Sequence, residues 1–250
     1  MPLASHPHLP VPRHRPAARQ FPAPRRGGFL LLTLGLGACS APEAATPVPE
    51  PPALDASRIG TGLRPLTDDR LVDVVGEPGA TRGGAAVRAT NLDSDVGPVE
   101  SRAGRDGSFS IQVELGLGQE LRLQASSGTN RGAPLDWLRT NDWLELSPRH
   151  ACVEVGAFEL RFDAPGSASL ELTNACSENL SVEAPRWRLG LPDFSLPEAF
   201  PLVIEPDRSG SLAVNFERQA AGEREDVLFV DVAVEGRTVR YAVNVFAPAP

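Results

Sequence analysis

The sequence predicts an all-β fold: two antiparallel β-sandwiches in tandem, after a signal and linker region without regular structure. Three observations carry this. Apolar residues recur at every second position in short runs, as in Phe109-Ser110-Ile111-Gln112-Val113-Glu114-Leu115, which is the period of a half-buried strand. Turn residues punctuate those runs roughly every eight to twelve residues, the spacing of a sandwich. No stretch has a helical period, and the proline frequency after residue 184 opposes one. The 250 residues suffice for two domains of about 100 residues each.

Taken in order, residues 1–26 are rich in Pro, Arg and His and form no regular element, because proline removes backbone donors and blocks helix. The apolar run from Phe29 to Leu36 is far shorter than the ~20 residues of a spanning helix. Its length is that of the apolar core of an export signal. Small residues Gly37 and Ala38 then suit a peptidase cleft. Leu36-Gly37-Ala38-Cys39 resembles the lipobox of bacterial lipoproteins. The resemblance implies a signal peptide over 1–38, cleavage before Cys39 and acylation of its thiol (diacylglycerol, palmitate-class chains). It also implies a lipid-anchored protein of the bacterial cell envelope. Ser40 stands where inner-membrane members carry Asp, which leans toward the outer membrane. An ordinary signal peptide with a chance cysteine is the alternative. Arg25-Arg26 resembles a twin-arginine signal, but Phe29 falls one place late, which favours the general secretory route.

Residues 39–66 read as a tether. Pro42, Pro47, Pro49, Pro51 and Pro52 sit among Ala, Glu and Thr, a composition that makes an extended, semi-rigid spacer. Strand candidates then run from Leu71-Val72-Asp73-Val74-Val75 through Val87, Val99, Phe109–Leu115 and Leu121-Arg122-Leu123, with Arg105-Asp106-Gly107 as a turn. Residues 127–148 read as a linker holding Trp137 and Trp143. From residue 149 to 247, alternation returns at Phe158-Leu160-Phe162, Leu170-Leu172, Leu180-Val182, Leu212-Val214-Phe216, Val227–Val234 and Val239–Val245. Glu235-Gly236-Arg237 makes the last hairpin turn.

Two further resemblances sharpen the architecture. Val75-Gly76, Pro78-Gly79-Ala80, Thr90-Asn91, Asp106-Gly107-Ser108-Phe109, Gly118 and Leu121-Arg122-Leu123 resemble small bacterial immunoglobulin-like and carboxypeptidase-regulatory-like modules, over residues 67–126. The later half carries Leu160-Arg161-Phe162, Leu172-Thr173-Asn174, Cys176, Leu180-Ser181-Val182, Ile204-Glu205-Pro206 and Ser211–Phe216. It resembles the ASH-like (Hydin-type) domains of choice-of-anchor proteins, over residues 149–247. It departs from that pattern at Asp163, where the family has Gly, and at Pro206-Asp207-Arg208-Ser209-Gly210. Both resemblances imply immunoglobulin-like sandwiches and scaffolding or interaction roles, and neither supplies a reaction.

Charge and cysteine usage bound the chemistry. Arg13, Arg15, Arg19, Arg25 and Arg26 precede Cys39, and all 32 acidic residues follow it, so the remainder is more acidic than the chain's net −8. An acidic body argues against nucleic acid, whose affinity comes from cations neutralising phosphates. With Cys39 acylated, Cys152 and Cys176 are left either to form a disulfide or to stay as two buried thiols; a disulfide would contribute about 3 kcal/mol through loop closure. The single His after the leader, His150, stands two residues from Cys152. That leaves no ligand cluster for zinc and no triad, so no cofactor, metal or catalytic residue is expected. Asn91-Leu92-Asp93-Ser94-Asp95-Val96-Gly97 has the alternating oxygens of a calcium loop. Its Gly is misplaced and Arg102 stands where the closing Glu belongs, so a solvated loop is expected. Glu225-Asp226 reads as solvated surface charge. The expected function is that of a membrane-anchored envelope lipoprotein with a structural or protein-interaction role. Its partners would be the lipid bilayer, through Cys39, and another envelope protein or glycan. The alternative is a glycan- or peptidoglycan-binding module with Trp137 and Trp143 as ligand contacts.

Overall fold

A computed structural model describes residues 50–62, 70–141, 144–197 and 199–250. Cys39, Trp143 and the signal segment lie outside them. The regular structure of the described residues is strand, apart from one short 3-10 turn. Among the described residues no helix is long and apolar enough to cross a membrane.

The first sandwich pairs a three-stranded antiparallel sheet with a larger one. The smaller sheet has the order β1 (Ile59–Gly62), β2 (Leu71–Gly76), β5 (Phe109–Glu114). The larger runs β4 (Val99–Arg102), β3 (Ala86–Asn91), β6 (Glu120–Ser127), β8 (Leu135–Arg139), β9 (Leu144–Leu146), with β7 (Asn130–Arg131) on β6. Val72 and Val74 meet Val87, Ala89, Ile111, Val113, Leu121 and Leu123 in a closed apolar core. The Asp106-Gly107 turn forms as its residues require. Asp106 accepts from the Ser108 N–H at 3.0 Å, and Gly107 has φ +85° with the Thr81 carbonyl where a Cβ would stand.

Two boundaries expected from sequence are corrected here. Residues 127–148 are not a linker, because they carry β7, β8 and β9, and Leu135 and Trp137 face the core. Nor is all of 39–66 a tether. Asp55 caps a short 3-10 turn over Ala56–Arg58 by accepting from Ser57, and β1 then pairs with β2 so that Ile59 enters the core. Prolines mark the approach to this strand, which hid it.

The second sandwich sets a four-stranded sheet against a six-stranded one. The first has the order β10 (Val153–Val155), β12 (Gly166–Asn174), β17 (Arg208–Phe216), β15 (Phe194–Ser195). The second runs β11 (Glu159–Arg161), β19 (Arg237–Ala247), β18 (Arg224–Val234), β13 (Leu180–Val182), β16 (Leu202–Ile204), with β14 (Arg186–Trp187) on β18. Every pairing is antiparallel except β11 with β19, which is parallel. Leu170, Leu172, Leu212 and Val214 meet Leu228, Val230, Val232, Val243 and Val245 across the core. Phe158 does not join them, because β11 starts one residue later and leaves its ring 40% exposed. Glu235 and Gly236 both have positive φ and form the tight turn between β18 and β19. Both sandwiches belong to one compact unit.

Candidate functional site

The joint between the sandwiches is the most elaborate polar arrangement in the described chain. Strand β6 sends Leu121, Leu123 and Ala125 inward and Glu120, Arg122 and Gln124 outward, yet all six are buried. The outer face of β18 and β19 covers them. Arg122, 3% exposed, donates through Nε and Nη2 to the two oxygens of Asp136 at 2.7 and 2.8 Å. Its Nη1 reaches Asn244 of the other sandwich at 2.6 Å, and Nη2 also donates to the Ala242 carbonyl. Asn244 in turn donates to Gln124 at 3.0 Å. A buried guanidinium needs this saturation, since an unpaired charge in that position would cost several kcal/mol.

Ion pairs flank that centre on both sides. On one, Arg88 and Arg131 hold Glu225 at 2.5 and 2.9 Å, Arg131 also pairs with Glu159 at 3.4 Å, and its guanidinium lies 4.2 Å from the Phe246 ring. On the other, Arg240 holds Asp93 at 2.7 Å and Glu120 at 3.5 Å. Arg188 donates across the joint to the Asn91 and Val96 carbonyls. The apolar contribution is small: Leu92 packs on Val227, Phe229 and Ala242.

The carboxylates respond to this setting in two ways. Burial alone would raise Asp136, but Arg122 and Arg149 override it and hold the group below the usual carboxylate range. Glu225 is lowered in the same way, against burial, by Arg88 and Arg131. Burial wins at Glu120 and Glu159, which are raised despite Arg240 and Arg131 respectively.

Two sequence expectations change here. The Asn91–Gly97 segment is solvated only in part: Asp95, Val96 and Gly97 are exposed, but its first residues are held by the protein. The Asn91 side chain accepts from the Asp93 N–H at 3.0 Å, Asp93 accepts from the Glu120 N–H at 2.7 Å and pairs with Arg240, and Leu92 is buried against the second sandwich. The oxygens of Asn91, Asp93 and Ser94 that suggested calcium accept from protein donors. Glu225-Asp226 is not surface charge. Asp226 is 1% exposed and accepts from the Leu189, Leu191 and Val227 N–H groups.

Of the site residues expected from sequence, Cys152 and Cys176 are joined in a disulfide across a separation of 24 residues. Both sulfurs are thereby withdrawn from nucleophilic or ligand chemistry, even though the Glu235 carboxylate lies within 4.8 Å of them. The bond ties the start of β10 to the end of β12, next to the connecting segment 147–152. That segment is pinned at further points: Arg149 pairs with Asp136 at 2.5 Å and lies 4.9 Å from the Tyr241 ring, and the His150 N–H donates to the Tyr241 hydroxyl at 3.0 Å. Trp137 is not a ligand contact, because at 8% exposure it is a core residue of the first sandwich. Trp143 and the acylation candidate Cys39 lie outside the described residues.

The class so defined is an all-β protein of two sandwiches fixed by a buried polar joint. No protein-family model and no curated protein matches the chain. Among solved structures it is similar to the VesB protease of Vibrio cholerae, at 11% identity and TM-score 0.35 over 66% of this chain, and it spans 62% of that protein. It is also similar to a protein of unknown function from Porphyromonas gingivalis W83, at 11% identity and TM-score 0.33, over 79% of this chain and 99% of that one. A third is WR4, an MSP family member of C. elegans, at 11% identity and TM-score 0.30, over 40% of this chain and all of that one. Likeness this distant carries nothing about function.

Proposed function

We propose that the protein is a non-catalytic envelope lipoprotein, anchored by acylation of Cys39, that holds two immunoglobulin-like sandwiches at a fixed angle for an interaction with another envelope component. The observation that carries this reading is the joint. Its buried charges are paired with one another and with backbone groups, as in a structural element, and none is left poised beside a nucleophile. The fit of an anchor comes from Leu36-Gly37-Ala38-Cys39 and from the cysteine pairing, which accounts for the other two thiols. The glycan-binding alternative loses Trp137, whose ring is inside a core, and gains nothing in exchange.

The test is phase partition in detergent of the wild type and Cys39→Ser, with palmitate labelling of both. The wild type is expected in the detergent phase with label, and the variant in the aqueous phase without it. An unlabelled wild type, or a variant that still partitions into detergent, overturns the anchor. A pulldown from envelope fractions with the anchored protein then reads the partner. Recovery of no envelope protein above a control lipoprotein overturns the interaction role.

A further inference from the structure

A groove of about 280 Å³ opens between the sandwiches beside the joint. Ala133 and Pro134 wall it from the first sandwich and Val155, Ala157, Phe158 and Ala242 from the second. Phe158 is a large apolar side chain left 40% exposed by the start of β11, and it faces this space. The floor is charged. Among the described residues lining it, the ionic groups are Arg122, Arg149 and Asp136: two cations sharing one carboxylate. Arg122 spends its donors on Asp136, Asn244 and the Ala242 carbonyl. Arg149 is different. Its side chain is 41% exposed and has one close acceptor, Asp136, with the Arg240 carbonyl at a long 3.4 Å. A guanidinium carries five N–H donors, so part of its fork faces the groove. The floor is therefore net positive in a chain whose body is acidic.

We propose that this groove binds a peptide segment of a partner protein that presents an aliphatic or aromatic side chain next to a carboxylate. The apolar side chain packs on Phe158, Ala157 and Pro134, and the carboxylate takes the open donors of Arg149. A peptide suits the place because the groove runs along the chain between β10 and β11, which are both sheet edges paired on one side only. Edge backbone offers an extended peptide hydrogen bonds. The volume suits one or two side chains and not a folded surface. The proposal deepens the interaction reading above and rests on it.

The experiment is an amide-shift NMR titration of the full chain carrying Cys39→Ser, which keeps it out of micelles. The probes are acetyl-Leu-Asp-amide and acetyl-Leu-Asn-amide. Saturable shifts at Ala133, Ala157, Phe158 and Ala242 are expected with the acid, and binding roughly fivefold weaker with its amide, the range of one exposed charge pair. Phe158→Ser, at an exposed position that leaves the fold intact, is expected to weaken the acid's binding by roughly tenfold, as loss of a half-buried ring would. Absence of groove shifts, equal response to both peptides, or unchanged binding in Phe158→Ser overturns the proposal. So does tighter binding of octanoate, which would make the site one for an acyl chain. A dimer in sedimentation that Phe158→Ser dissociates would make the occupant a second copy, and also overturns it. Failure here leaves the Cys39 partition result unaffected, and failure there leaves the groove titration readable.

Discussion

Removing the Arg122 side chain tests whether the joint makes one cooperative body of the two sandwiches. In Arg122→Met the stem is kept and the guanidinium is lost. Four hydrogen bonds go with it: two to Asp136, one to Asn244 and one to the Ala242 carbonyl. Asp136 keeps Arg149 at 2.5 Å, so it is not left without a cation. Breaking a buried pair by removing one partner costs about 3–5 kcal/mol, and the surviving Arg149 contact places the expected loss near about 3 kcal/mol. The assay is urea unfolding followed by tryptophan fluorescence and by far-ultraviolet circular dichroism. Trp137 reports the first sandwich, and Trp187, stacked on Phe194 at 5.7 Å, reports the second. The wild type is expected to unfold in one transition by both probes, and the variant in two. Arg122→Met with Asp136→Leu replaces both buried charges by apolar side chains, and should recover most of the stability. A loss below about 1 kcal/mol in the single variant, with both probes still coincident, would refute the assignment of the joint as the coupling element.

Other outcomes follow from the same geometry. Cys152→Ser with Cys176→Ser should lower stability by about 3 kcal/mol from the entropy of the 24-residue separation, read as a shift of the later transition in the same urea experiment. The pH dependence has a definite sign. Glu120 and Glu159 are raised, so the folded chain binds protons at a pH where the unfolded chain does not, and stability increases as pH falls from neutral through their folded values. Asp136 and Glu225 are lowered, so their contribution is present above the ordinary carboxylate range and is lost as pH falls through their folded values. Tm should therefore peak in mild acid and fall steeply below it. Calorimetry across that range checks this, and a Tm that declines steadily from pH 7 would contradict it. Gly107→Ala should lower Tm more than Gly84→Ala. Both glycines have positive φ, but only Gly107 has a backbone oxygen where the methyl would stand.

The sandwiches were legible in the sequence because their cores obey period two, and the turn at Asp106-Gly107 was legible because its residues have few other uses. The joint was not. An outward Arg122 between Leu121 and Leu123 looks the same whether it faces water or a polar partner, so the alternation of β6 does not reveal that both of its faces are covered. Some signal was present. On β18 the outward positions include Val227 and Phe229, and on β19 they include Ala242 and Phe246. A solvated face has little use for these, and a continuous apolar run such as Val227–Val230 marks a strand buried on both sides. The strands within 127–148 were missed for a related reason. Leu135-Asp136-Trp137 alternates correctly, but it is short and sits among Gly132, Pro134 and the polar Asn130. The two tryptophans invited a surface role that the core position of Trp137 rules out.

A joint of this kind is a poor way to gain stability and a good way to fix an angle. The apolar cluster of Leu92, Val227, Phe229 and Ala242 is small, and apolar contact is non-directional, so on its own it would tolerate sliding of one sheet over the other. The Arg122 fork, the Asn244 side chain and the opposed pairs Arg88–Glu225 and Asp93–Arg240 accept only one register. Each sandwich contributes cations and anions to the joint, so a shift of one strand spacing, about 4.8 Å, would set like charges against each other. The angle matters for a specific surface: the groove walls come from both sandwiches, and Arg149 at its floor is held by Asp136 from one sandwich and the Tyr241 ring of the other. The Arg122→Met/Asp136→Leu protein separates the two roles. If the polar joint is kept for orientation, that protein keeps its stability while small-angle scattering shows a broader range of inter-sandwich angles. Unchanged scattering would mean that the connecting segment 147–152 and the disulfide set the angle by themselves.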